Sequence, residues 1–145
     1  MRATRTFEPQ ADQIGAARRF ASATLAGWGI VDVDVALLVS ELATNAVLHA
    51  RSEFAVTVSA TAERVRVEVF DRNSRLPSLV AVPADAYSGR GLMLVEAMAT
   101  AWGVDASIED GKAIWFELRR PNGTGGASGS SGRRMPRRGA GLLQL

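Results

Sequence analysis

Within ELATNAVLHA, residues 41–50, a carboxylate, an amide and an imidazole recur at four-residue steps as Glu41, Asn45 and His49. On a helix that spacing stacks the three on one face. Their neighbours Ala43, Ala46, Val47 and Ala50 are small or apolar, so these polar groups stand nearly alone. Asparagine in mid-helix is also a propensity loss. Two readings fit this segment: the solvated face of an ordinary amphipathic helix, or a functional stripe at the edge of the core.

Two further groups can bind or react. Gly89-Arg90-Gly91-Leu92 stands at the opening of a helical stretch. Glycines there let the backbone approach a ligand, and first-turn amides point at an anion. A plain loop turn with an N-cap accounts for the pair equally well. Asp71 ends the alternating run RVRVEVFD. A carboxylate at that place can accept a hydrogen bond from an exocyclic amine such as that of adenine, or it can simply form a turn.

Composition narrows the chemistry. The chain has 145 residues, 47% hydrophobic and 22% charged, which suits one globular core. It has no cysteine, and His49 is its one histidine. Disulfides, thiolate metal sites, thiol nucleophiles and histidine clusters are therefore excluded. Chemistry must rest on carboxylates, amides, hydroxyls, backbone and basic side chains. No apolar run approaches the roughly 20 residues that cross a bilayer, and MRATRTFEPQADQ lacks the apolar stretch of a signal peptide. A cytoplasmic protein with no membrane partner is expected.

The formal net charge is +2, but Arg133, Arg134, Arg137 and Arg138 contribute +4 to a segment without acidic residues, which leaves residues 1–120 at −2. A nucleic-acid-binding fold carries its positive excess on the folded body. Nucleic acid is thus an unlikely partner. The Gly/Ser/Arg-rich stretch 121–145 cannot bury a core and is expected to be a disordered tail after a domain spanning 1–120.

The elements that must position the candidate residues follow from periodicity. Residues 3–8 form a short strand. A helix follows Pro9, with Ile14, Ala17, Ala21, Leu25 and Trp28 at three- and four-residue spacing and Gly27 and Gly29 at its end. Asp32 or Asp34 caps a second helix through Ala50, with Val35, Leu38, Val39, Leu42 and Ala46 inward. EFAVTVSAT and RVRVEVFD alternate as a hairpin. A loop from Arg72 to Ser88 leads to a helix over residues 90–103, and strands VDASIE and KAIWFELR turn at Asp110-Gly111. The order β-α-α-β-β-α-β-β predicts an α+β two-layer sandwich, its sheet mostly antiparallel and mixed, with helices on one face.

Together these motifs resemble a known superfamily. ELATNAVLHA looks like the N-box of the GHKL (Bergerat-fold) ATPases and kinases. VEVFDRNSRLPSL stands where that superfamily has its adenine-binding aspartate, GRGLMLVEAMATAWGV is similar to its glycine box, and GKAIWFEL to its closing strands. Within it the chain is most similar to the anti-sigma regulatory factors that are serine-protein kinases, of actinobacterial type, over roughly residues 5–120.

The resemblance implies ATP and Mg²⁺ as cofactors. Asn45 would give an oxygen to Mg²⁺, and Glu41 would be the general base toward a serine hydroxyl. Asp71 would read the adenine amine. Gly89, Arg90, Gly91 and Leu92 would shape the nucleotide lid and supply amides to phosphates, while His49 would anchor its helix. The implied partners are an anti-anti-sigma protein, a sigma factor and a second copy in a homodimer. Two departures stand out. Arg72-Asn73-Ser74-Arg75 follows Asp71 where relatives often have glycines, and Ala113 stands where they commonly carry a threonine that supports adenine. These motivate the alternative of a catalytically weak or inactive ATP-binding or protein-docking module.

Overall fold

A computed structural model describes residues 1–73, 87–106 and 110–120, with backbone alone at Ala50 and 87–91. The expected tail 121–145, most of the 72–88 loop and the end of the VDASIE strand lie outside these residues.

The chain runs β1 (Arg2–Phe7), α1 (Ala11–Gly27), α2 (Val33–Asn45), a π-helical turn (Ala46–Ala50), β2 (Phe54–Ala60), β3 (Arg64–Asp71), α3 (Tyr87–Met98), β4 (Ala101–Asp105) and β5 (Lys112–Arg119). The five strands lie in the order β1-β2-β3-β5-β4. Each pairing among the described residues is antiparallel, so the parallel pair of a mixed sheet is not found among them.

Alternation makes this sheet two-faced. Val56, Val58, Val65, Val67, Val69, Ile114, Phe116 and Leu118 are buried on one face. Against them pack Ala17, Ala21 and Leu25 of α1, Val35, Leu38, Val39 and Leu42 of α2, and Leu92 and Val95 of α3. The other face is polar. There the Thr4 and Thr57 hydroxyls meet at 2.9 Å, Arg66 pairs with Glu68 and Glu117, and its guanidinium lies 4.1 Å over the Trp115 ring.

Local chemistry sets the helix ends. α1 closes with Gly29 in the left-handed region (φ 79°), while the Ile30 amide donates to the Leu25 carbonyl at 2.8 Å. This is the glycine C-cap geometry that satisfies a terminal carbonyl. Asp32, rather than Asp34, caps α2, its carboxylate accepting from the Asp34 amide at 2.9 Å.

Two elements differ from the sequence reading. α3 ends at Met98, and residues expected in its last turn form β4 instead. Ala101–Asp105 pairs with β5 through Glu117–Ala113, and Trp102 is buried. Burial of that indole and a full ladder outweigh the helical period of the segment. Secondly, α2 does not continue as regular α-helix to Ala50. It widens after Asn45, where the Arg51 amide donates to the Ala46 carbonyl at 3.2 Å, and Arg51 itself is left-handed at φ 51°. Among the described residues no helix is long and apolar enough to cross a membrane.

Candidate functional site

The widened turn begins directly after Asn45, the last residue of α2. Asn45 is half-buried, and its Oδ1 is closed off from solvent without a hydrogen-bond partner among the described residues. A buried carbonyl oxygen left unpaired costs about 1–3 kcal/mol. Neighbouring hydroxyls do not serve it. Ser40 Oγ donates to the Ala36 carbonyl at 3.0 Å and Thr44 Oγ1 to the Ser40 carbonyl at 2.7 Å, both turned back onto their own helix.

Glu41 lies one turn earlier on the same face, half-buried and in no ion pair among the described residues. The pair therefore sits at the core edge, not in bulk water. His49 departs from this row. The widened turn shifts everything after Asn45 around the helix axis, and His49 is exposed. Its backbone carbonyl, not its ring, does the anchoring, accepting from Asn73 Nδ2 at 3.2 Å.

Asp71 ends β3 and is only 4% exposed. It faces the core side of the sheet with Val67 and Val69. Across the ladder its partner is Lys112, 6% exposed, whose Nζ donates to Asp71 Oδ1 at 3.0 Å. The Asn73 amide donates to that same oxygen at 2.8 Å, and Lys112 Nζ also donates to the Asn73 carbonyl at 2.8 Å. Gly111 makes this closure possible, because a Cβ there would run into the Asp71 carbonyl and lie 2.7 Å from the Phe70 ring.

Lys112 is the residue that sequence reasoning passes over. Ala113, weighed above for its missing hydroxyl, pairs with Phe70 and lies on the opposite face from Asp71. The strand position beside Asp71 is 112. No local pattern marks it, because the register that sets Lys112 opposite Asp71 joins strands forty-one residues apart.

Topology brings these groups to one end of the sheet. Three residues, 51–53, lead from the widened turn into β2, whose first residue Phe54 pairs with Asp71. The Arg72 amide donates to Ser52 Oγ at 3.2 Å, tying the β3 end to that connection. The turn and α2 pack on β3, and α3 packs on α2. α3 leads into Ala101, opposite Glu117 at the far end of the ladder, so its first turn is directed back toward the Asp71 end.

Gly89 and Arg90 lie in that first turn, the part of a helix where backbone amides are available to a ligand. Gly91 follows them in α3. Leu92 contributes its side chain to the core, 1% exposed, and so holds α3 in place. Among the described residues no group of three or more acidic or histidine side chains could hold a metal. A hard cation at this end would take Asn45 Oδ1 together with ligand and water oxygens, which is the coordination habit of Mg²⁺. The orphaned amide oxygen fits that role.

An unpaired amide oxygen and a half-buried carboxylate on α2 thus belong to the same two-layer α+β sandwich as a buried aspartate at the end of β3 and the first turn of α3. No curated relative matches the chain at a significant level. Residues 7–118 match the histidine kinase-like ATPase domain, and the chain belongs to that family.

Proposed function

We propose that this domain binds Mg²⁺–ATP and transfers the γ-phosphoryl group to a serine hydroxyl of an anti-anti-sigma partner, within a circuit in which it also sequesters a sigma factor. The observation that carries the reading is Asn45 Oδ1, buried without a partner one turn after Glu41. A protein that leaves such an oxygen unsatisfied gains from a cation that satisfies it.

Each residue then has a task. Asn45 holds the cation that neutralises phosphate charge. Asp71 accepts from the exocyclic amine of adenine, and the first-turn amides of Gly89 and Arg90 donate to phosphate oxygens. Glu41 accepts the proton of the attacking serine hydroxyl. The serine oxygen bonds to the γ-phosphorus as the bond from that phosphorus to the β–γ bridging oxygen breaks, and ADP departs. This transfer asks mainly for positioning and charge neutralisation.

A second reading, an ATP-binding docking module without transfer, is favoured by one observation: Asp71 is engaged by Lys112 and followed by no glycine. Calorimetry with Mg²⁺–ATP on the full chain and its Asn45→Ala variant tests binding. Heat from the parent chain alone supports the reading, and no heat from either removes it. A phosphate-transfer assay with a serine-bearing anti-anti-sigma partner then separates kinase from module.

A further inference from the structure

The Lys112–Asp71 pair carries an inference that rests on the nucleotide reading above and deepens it. We infer that Lys112 is a positioning residue that sets the base specificity of the site, holding Asp71 as a pure acceptor so that a 6-amino purine is taken and a 6-oxo purine refused.

Two donors, Lys112 Nζ at 3.0 Å and the Asn73 amide at 2.8 Å, converge on Asp71 Oδ1. Two bonds to one oxygen fix the plane of the group. Among the described residues none is made to Oδ2, and that atom is not a closed-off orphan. Asp71 thus offers one oxygen to the protein and the other to whatever occupies the edge of the sheet. An ionised carboxylate is acceptor only. Opposite an exocyclic amine it gains a charge-assisted bond; opposite a carbonyl oxygen it meets a second acceptor, with nothing to donate.

Lys112 secures this state in two ways. Its ammonium lies 3.0 Å from Oδ1 and gives that nearly enclosed carboxylate an opposite charge to pair with. Its second bond, to the Asn73 carbonyl, fastens the residue that donates the other bond to Oδ1. Asn73 reaches in turn to the His49 carbonyl at the end of the widened turn. A change at Lys112 therefore alters the orientation of the Asp71 acceptor without touching Asn45 or Glu41.

The test compares affinity for Mg²⁺–ATP and Mg²⁺–ITP, which differ at the 6-position of the base, in the full chain and its Lys112→Met, Lys112→Gln and Lys112→Arg variants. The parent is expected to prefer ATP by roughly tenfold or more, as sites built to hydrogen-bond a polar group do. Lys112→Met should bring the two affinities within about threefold of each other, the contrast lost with the acceptor's fixed geometry. Lys112→Arg, which keeps the cation, should retain the preference. Lys112→Gln puts a neutral donor in place of the charge; it should also lower the ratio, and it decides the matter if Lys112→Met does not fold. A purely structural lysine would weaken both nucleotides equally and leave the ratio at the parent value in every folded variant, which overturns the inference. So does a parent chain that binds both nucleotides alike. A parent that binds neither overturns the nucleotide reading itself, a different and separately visible failure.

Discussion

Asp71 and Lys112 stand opposite each other at the ends of β3 and β5, 3.0 Å apart and both almost wholly enclosed. The four ion-pair contacts among the described residues otherwise involve Arg64 and Arg66 on the open face of the sheet, where side chains are 17–59% exposed. Exposed pairs of that kind contribute little. The Asp71–Lys112 pair differs because neither charge can turn to water when the other is lost.

Removing one partner should therefore cost more than removing both. Lys112→Met is expected to lower unfolding free energy by roughly 3–5 kcal/mol, the usual cost of stranding a buried charge. Asp71→Asn combined with Lys112→Met should cost less than Lys112→Met alone. Urea unfolding of the parent, the two single variants and the double variant closes the cycle. Additive losses across the cycle would mean that the two groups do not depend on each other.

Asn45 leads to the opposite expectation. Its Oδ1 has no partner to lose. Asn45→Leu keeps the size of the side chain and removes the unsatisfied atom, so the nucleotide-free protein should be as stable as the parent or gain up to about 1–3 kcal/mol. Mg²⁺-dependent ATP affinity should fall sharply in the same variant. Thermal melts with and without Mg²⁺–ATP measure both effects together. A variant that melts lower without ligand would show that Asn45 serves the fold rather than the cation.

Much of the architecture was legible in the sequence because its period changes cleanly. RVRVEVFD and EFAVTVSAT alternate with period two, and the inward residues are the valines that the structure buries. The boundary of α3 was not legible. AMATAWG carries helical spacing, and only pairing with the next strand, β5, makes Ala101–Asp105 a strand. Gly103 was the local hint, since a Cβ there would lie 2.7 Å from the Trp115 ring. In the site, Glu41 and Asn45 could be read together because helical spacing is a local rule. Lys112 could not, since its role depends on a register spanning forty-one residues. The widened turn after Asn45 has no periodic signature at all, and it is what separates His49 from the row it was expected to complete.

Gly111 offers a test of how tightly the Asp71 end is built. A Cβ at this position would collide with the Asp71 carbonyl oxygen and with the Phe70 ring, a backbone atom and a stiff side chain. Neither gives way cheaply. Gly111→Ala is expected to cost about 1–3 kcal/mol in unfolding free energy, the usual range for overpacking. It should weaken ATP binding as well, because relief of the clash moves Asp71. Denaturant titration and calorimetry on one preparation check the two effects. A stable variant with weakened binding would place the whole effect on the site.

In the proposed reaction Glu41 is the residue on which transfer, as distinct from binding, depends. It lies one helical turn before Asn45, half-buried, with no ion pair among the described residues to divert it. Glu41→Gln keeps its shape and removes its capacity to take a proton. Loss of a general base lowers turnover by roughly 10²–10⁴-fold. Phosphoryl transfer to the anti-anti-sigma partner should fall by that order, while Mg²⁺–ATP affinity stays within about threefold of the parent, since the substitution spares the binding groups. Single-turnover transfer with calorimetry in parallel gives both numbers. Equal losses of affinity and transfer would return Glu41 to the role of a helix-surface carboxylate. Unchanged transfer would remove it from the chemistry and leave positioning by Asn45 and Asp71 as the whole of the mechanism.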